Sequence, residues 1–325
     1  MKVLVTGIDG FVGSHLAEAL LESTGVRVSG IVHPDSVSPH IDHLLGKISL
    51  HRLDIADLRA VREAVRSSAP DAIYHLAGQA FVPLSLEEPY GTFRTNITGT
   101  LNVLESVRGL SSELHRPCRV LVVSSGEVYG SVARSALPVH EEEPLRPANP
   151  YAASKASADL IAQQYRTAFN VPVVVARPFN HLGPRQSELF VGSAFAKQIA
   201  EIGLRKREPE LLVGNLEPRR DFTDVRDVVR AYIRILDGER QYGVYNVCSG
   251  RSVRIGDLLE MFRAAGGVSV RIVSEQSRKR AGEVGEIVGD CSRLTAETGW
   301  RPEVALEDTV RDLLRYWEEK AGRPR

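Results

Sequence analysis

Between the apolar run Val3-Leu4-Val5 and the helix-like stretch Ser14 to Leu21 lies Thr6-Gly7-Ile8-Asp9-Gly10-Phe11-Val12-Gly13, with three glycines spaced three apart. A strand that enters a helix through such a turn lets the backbone come close to a pyrophosphate and aims helix N–H groups at it. A glycine-rich turn alone could be only a tight connection. Here it opens a long series of strands and helices, and that position points to a dinucleotide cradle. Gly7, Asp9, Gly10, Phe11, Val12 and Gly13 are its candidate contacts.

Short apolar or β-branched runs recur at 26–32, 48–53, 72–76, 120–124 and 173–176, with helix-like segments between most of them. This alternation predicts an α/β chain built on a Rossmann-type doubly wound parallel sheet. Within 93–110, Ile97, Leu101, Leu104 and Val107 fall three and four apart, predicting one helical face. Beyond Pro178, Gly183-Pro184, Pro209, Gly214 and Pro218 break the chain into shorter pieces, and a smaller mixed α/β unit is expected. The dinucleotide-binding unit is assigned 1–177, 219–247 and about 285–292; the substrate unit is assigned 178–218, 248–284 and 293–325.

Forty-one basic and 41 acidic residues cancel, so neither nucleic acid nor an anionic membrane is the expected partner. The first strand begins at Lys2, leaving no room for a signal peptide, and no apolar run is long enough to span a bilayer; a cytoplasmic location is expected. Cys118, Cys248 and Cys291 lie far apart without CxxC pairing and read as reduced core residues, with no metal site expected. The helical patterns near 93–110 and 151–169 could supply a homodimer surface or simply cover the sheet.

Nicotinamide selectivity is normally set where the second strand ends, which here reads Val32-His33-Pro34-Asp35. Asp35 is either a ribose contact or an exposed turn aspartate. No arginine stands there, so NADH is expected to serve at least comparably with NADPH. His33, Asp54-Ile55 after the third strand and Leu76-Ala77-Gly78 after the fourth are placed to line the cofactor cleft, since such sheets bind ligand at their carboxyl ends.

Tyr151 and Lys155 are four apart at a helix start and project from one face. A neighbouring ammonium stabilises phenolate and would bring the tyrosine down from its usual value of about 10. Ser124-Ser125 ends the fifth strand, where a hydroxyl can hydrogen-bond the substrate oxygen that gains or loses the proton. Glycine loop, serine, Tyr-xxx-Lys and the distal Arg177-Pro178-Phe179-Asn180 occur in the order of the extended short-chain dehydrogenases, which the chain resembles over nearly its whole length. That resemblance implies Ser125 as the catalytic hydroxyl, Tyr151 as proton donor or acceptor and Lys155 on the nicotinamide ribose. It gives Asn96 a structural or indirect cofactor role.

Val213-Gly214-Asn215-Leu216 followed by Arg219-Arg220-Asp221-Phe222 is similar to the GDP-mannose branch of that family, its 4,6-dehydratases and its 4-keto-6-deoxymannose reductases. The resemblance implies a GDP-linked 6-deoxyhexose held by Asn180, Arg185, Lys197, Val213, Asn215, Arg220, Arg280 and Glu283. Arginines suit its phosphates because the planar fork donates two hydrogen bonds at once. Glu127 stands at the position of a dehydratase base, yet the Arg-rich stretch that dehydratases of this branch carry after the second strand is absent. The expectation is therefore NADPH- or NADH-dependent reduction of the C4 keto group of GDP-4-dehydro-6-deoxy-D-mannose to GDP-D-rhamnose. A GDP-mannose 4,6-dehydratase, a 4-epimerase and a non-catalytic dinucleotide sensor are the competing readings. Retention of Ser125, Tyr151 and Lys155 together argues against the sensor.

Overall fold

The computed structural model describes residues 1–37, 39–114, 117–237, 243–275 and 284–322. Strand β1 (Lys2–Thr6) feeds helix α1 (Phe11–Glu22); β2 (Arg27–Val32), β3 (Ser49–Arg52), α2 (Leu58–Ser68) and β4 (Ala72–His75) follow. Helices α3 (Val82–Glu87), α4 (Pro89–Phe93) and α5 (Gly99–Leu114), the last two joined by a π turn, lead to β5 (Arg119–Val123), α6 (Pro150–Phe169) and β6 (Val173–Pro178). Next come β7 (Asn180–Leu182), α7 (Val191–Gly203), β8 (Glu210–Val213), β9 (Arg219–Asp224), α8 (Val225–Asp237) and β10 (Val244–Val247). The last elements are β11 (Ser252–Arg254), α9 (Ile255–Gly266), β12 (Arg271–Ser274), β13 (Glu286–Ile287), α10 (Ser292–Thr298) and α11 (Leu306–Gly322).

Seven parallel strands form one sheet in the order β10-β6-β5-β4-β1-β2-β3. The order reverses beside β1, so the doubly wound α/β fold expected from the alternation is the one observed. Each central strand is apolar on both faces, because successive side chains point to opposite sides. Val3, Val5, Leu121 and Val174 pack with α1 and α8, whereas Leu4, Val120, Val122 and Val173 pack with α2, α5 and α6. On α5 the buried stripe is Val103, Leu104, Val107 and Leu110; Leu101 is 36% exposed, at the edge of the face the spacing predicted.

A second core gathers Phe195, Ile199, Leu211, Leu258, Phe262, Val310 and Trp317, so the stripe on the last helix covers α7 and α9. A small sheet has the order β11-β9-β13, with β7 also paired to β9. Arg219–Asp224 and residues 286–287, expected in the dinucleotide unit, are therefore strands of this small sheet. Their ladder partners, 180–182 and 252–254, stand far away in sequence, where hydropathy alone cannot assign a sheet. Conversely Leu294 and Trp300, expected with the substrate unit, pack against α8 beside the large sheet.

Candidate active site

Thr6, the last residue of β1, accepts hydrogen bonds from the Leu76 and Ala77 N–H groups at 3.2 and 3.0 Å. Its hydroxyl also meets His75 Nδ1 at 2.8 Å, tying the carboxyl ends of β1 and β4 together. Gly7 has φ +69°, and a Cβ on Gly13 would stand 2.1 Å from the Gly7 carbonyl oxygen. Only glycine lets α1 approach its own entry turn this closely. Gly10 caps α1 without a side-chain acceptor, so the first helical N–H groups stay free for an anion. These residues fit a dinucleotide pyrophosphate.

After β2, His33 and Asp35 are exposed and face each other at 3.7 Å, with Asp35 in a turn. A basic group is present after all: Arg52, at the end of β3, donates to the Ser36 carbonyl at 3.4 Å. It went unseen because it arrives from the neighbouring strand. Asp9 accepts a hydrogen bond from the Ser36 hydroxyl. Asp54 pairs with Arg94 at 2.6 Å and accepts the Ala56 N–H, while Ile55 lies buried against Gly99. A Cβ on Gly78 would come 2.9 Å from Asn96 Oδ1 and 3.4 Å from Lys155 Nζ, so this loop passes directly over the lysine. Asn96 holds it there by accepting the Gln79 N–H at 2.8 Å and donating to the Gln79 carbonyl and Ser154 hydroxyl.

Ser125 leaves β5 as the cap of a short 3₁₀ turn, its Oγ accepting the Glu127 N–H at 3.1 Å. Helix α6 starts at Pro150 because Asn149 caps it: Asn149 Oδ1 accepts the Ala152 N–H at 2.8 Å. This cap sets Tyr151 in the first turn, where its phenol shares a hydrogen bond with Ser125. Burial pushes the phenol above its ordinary value, the Ser125 bond pulls it down, and the charge of Glu127 pushes it up again. The expected lowering by Lys155 is not among these causes, and desolvation raises the phenol instead. Lys155 is 8% exposed, burial lowers its ammonium to about 8, and Nζ donates to the Val123 carbonyl at 2.8 Å.

A cavity of about 370 Å³ joins Phe11, Val12, Ser125, Glu127, Tyr151, Asn180 and Arg220 on one wall-lining surface. The same surface includes Asn149, Phe179, Gln186 and Phe190, which sequence reasoning did not single out. Asn149 was readable in principle as the capping residue before Pro150-Tyr151; Phe190 carried no local signal. Gly126 admits the Phe179 ring, which a Cβ would meet at 3.0 Å. The ring of Phe11 stacks on His181, with centroids 5.8 Å apart.

Four expected substrate contacts are not among the residues lining this cavity. Arg185, at φ +74°, pairs with Glu18 on α1 at 2.5 Å. Lys197 pairs with Glu188 and lies over the Trp317 ring. Val213 is buried in the second core, and Asn215 accepts the Glu217 N–H in a turn. Arg185, Lys197 and Asn215 are thus engaged elsewhere by other side-chain or backbone partners, and Val213 by the core. Arg280 and Glu283 lie outside the described residues. Cys248 and Cys291, remote in sequence, are both free thiols and hydrogen-bond each other. Among the described residues no helix is long and apolar enough to cross a membrane.

The chain is 37% identical to the GDP-6-deoxy-D-mannose reductase of Pseudomonas aeruginosa, over 98% of each chain. It is 30% identical to GDP-mannose 4,6 dehydratase 2 of Caenorhabditis elegans, over 96% of this chain and 87% of that one. The solved structure of RMD from Pseudomonas aeruginosa complexed with NADPH superposes with a TM-score of 0.84 at 36% identity, covering 98% of this chain and 99% of that chain. The family profile described as GDP-mannose 4,6 dehydratase matches residues 4–313. Because that profile covers nearly the whole chain, the chain belongs to the GDP-mannose 4,6-dehydratase family.

Proposed function

We propose that this chain is an NAD(P)H-dependent reductase that converts the C4 keto group of GDP-4-dehydro-6-deoxy-D-mannose to the alcohol of GDP-D-rhamnose. The observation that carries this reading is the meeting of Ser125 and Tyr151 on the cavity wall, in a chain 37% identical to a GDP-6-deoxy-D-mannose reductase. The nicotinamide, held along the glycine loop, supplies hydride to C4. Tyr151 gives its phenolic proton to O4 as the negative charge develops, and the Ser125 hydroxyl hydrogen-bonds the same oxygen. Lys155, still cationic below pH 8, stabilises the phenolate left behind. Asn180 and Arg220 are assigned to the diphosphate end, where a guanidinium suits phosphate.

A dehydratase is the second reading, favoured by one observation: the Glu127 carboxylate lines the same cavity. Nicotinamide bookkeeping separates the two. A reductase consumes one reduced nicotinamide per product, whereas a dehydratase recycles its hydride. GDP-mannose without reduced nicotinamide is expected to remain unchanged, and GDP-4-dehydro-6-deoxymannose with NADPH or NADH is expected to lose absorbance near ~340 nm as hydride leaves the cofactor. Accumulation of a 4-keto sugar from GDP-mannose alone would assign the chain to the dehydratases.

The same reading places the enzyme in the cytoplasm, where its three free cysteines remain reduced, and pairs two copies through α5 and α6.

A further inference from the structure

A ketone with hydrogens on its neighbouring carbons is reduced here beside a carboxylate, and that juxtaposition carries a hazard. Glu127, Tyr151 and Ser125 line one cavity. Together they hold what enolisation of a 4-keto sugar requires, a base for the proton beside the carbonyl and an acid for its oxygen. Asn149 stands between these two functions. Its Nδ2 donates to Glu127 Oε2 at 3.1 Å, and its Oδ1 accepts the Ala152 N–H at 2.8 Å. The amide is therefore oriented at both ends, and only this arrangement of its oxygen and nitrogen satisfies both bonds. The Glu127 main chain is fixed as well, through its N–H on Ser125 Oγ.

We propose that Asn149 is a positioning residue that restrains Glu127, keeping a site built to reduce a 4-keto sugar from enolising it. The proposal rests on the reductase reading above. An amide N–H bound to a carboxylate stabilises its charge and directs one oxygen away from other protons. Freed of that bond, Glu127 takes the proton from a carbon next to C4. The C–H electron pair becomes the C=C bond, and the C4 carbonyl oxygen takes the phenolic proton of Tyr151, giving a neutral enol. The step is redox-neutral and reverses by the same path. In deuterated water the returning atom is deuterium, because the Glu127 carboxyl exchanges with solvent.

The test uses the full chain carrying Asn149→Ser. Serine caps a helix about as well as asparagine, but it is too short to supply the amide donor. Wild type, Asn149→Ser and Asn149→Ser/Glu127→Gln are each incubated with GDP-4-dehydro-6-deoxymannose in deuterated water without nicotinamide. Proton NMR and mass then follow deuterium at the carbons flanking C4. Asn149→Ser is expected to exchange at least roughly tenfold faster than wild type, the size of one charge-assisted hydrogen bond, and the double variant is expected to fall back to the protein-free rate. Asn149→Asp, which also caps but sets a second negative charge against Glu127, should exchange faster than wild type too. Equal exchange in wild type and both single variants, or exchange that persists in the double variant, overturns the role of Asn149. Failure of the substrate reading is seen separately, as no NADPH oxidation by wild type with the same sugar nucleotide. A helix-capping role alone would shift the melting temperature without moving deuterium.

Discussion

Lys155 is nearly buried, and its ammonium is held by a main-chain carbonyl, with no carboxylate among the causes of its shift. Burial lowers it to about 8 from an ordinary value near 10.5, so the folded protein carries a charge it would be better without below pH 8. Between about 8 and 10.5 the unfolded chain binds the extra proton, and stability contributed at this position rises with pH. Lys155→Met should therefore abolish turnover while raising stability at pH 7 by about 1–2 kcal/mol, a gain that shrinks as pH rises through this window. Thermal melts of both proteins at pH 7 and 10 check it; a destabilised variant at pH 7 would contradict the assignment of an uncompensated buried charge. That Tyr151 and Lys155 share one helix face was legible from their i,i+4 spacing, and that Ser124-Ser125 ends a strand was legible from its apolar run, whereas the choice of Ser125 came from the family resemblance. Arg185 was not legible, because its partner Glu18 stands 167 residues away on a different helix. Arg52 was missed for the same reason, since adjacency of β2 and β3 is a property of the sheet and not of the chain.

At the level of elements, the turn joining β1 to α1 tolerates the least change. A Cβ on Gly13 would lie 2.1 Å from the Gly7 oxygen and 2.9 Å from Ile8 Cα, both backbone atoms that cannot rotate aside. On Gly10 the corresponding approach is 3.1 Å, also to the Gly7 oxygen, and a shift of a few tenths of an ångström relieves it. Gly13→Ala is thus expected to cost about 3 kcal/mol through forced backbone movement, and nicotinamide binding should weaken with it. Gly10→Ala should cost about 1 kcal/mol or less. Denaturant titration and nicotinamide fluorescence would compare the two, and equal losses would remove the steric distinction between them. Most of the large sheet could be read from runs such as Val120 to Ser124, because a strand buried on both faces leaves a continuous apolar signature. The small sheet could not. Strands of two to six residues such as Glu286–Ile287 and Arg219–Asp224 are polar, and a ladder to distant partners is what makes them strands.

For the whole molecule, the pairing of two copies proposed above would use the outer face of α5 and α6. The two helices pack together, joined by the Tyr165 hydroxyl on Glu105 at 2.5 Å and by Arg108 over the Phe169 ring. Leu101, Leu160 and Phe169 on these helices remain 36%, 58% and 43% exposed, and Phe93 and Tyr90 just before them are exposed as well. Scattered apolar residues on a surface need no explanation, but several on one helix pair favour burial against a partner. Zero formal net charge removes the long-range repulsion that would otherwise oppose self-association. Pairing this face about a two-fold axis sets like against like, so each substitution acts twice per dimer. Light scattering at micromolar concentration is expected to give twice the chain mass. Leu101→Glu combined with Leu160→Glu should give the mass of one chain, because four carboxylates would then meet in an apolar contact. Neither residue lines the cavity, so the variant's fold can be checked by its melting transition and by nicotinamide binding. A wild-type protein that sediments as a single chain, or a doubly charged variant that still pairs, would move the interface away from α5 and α6.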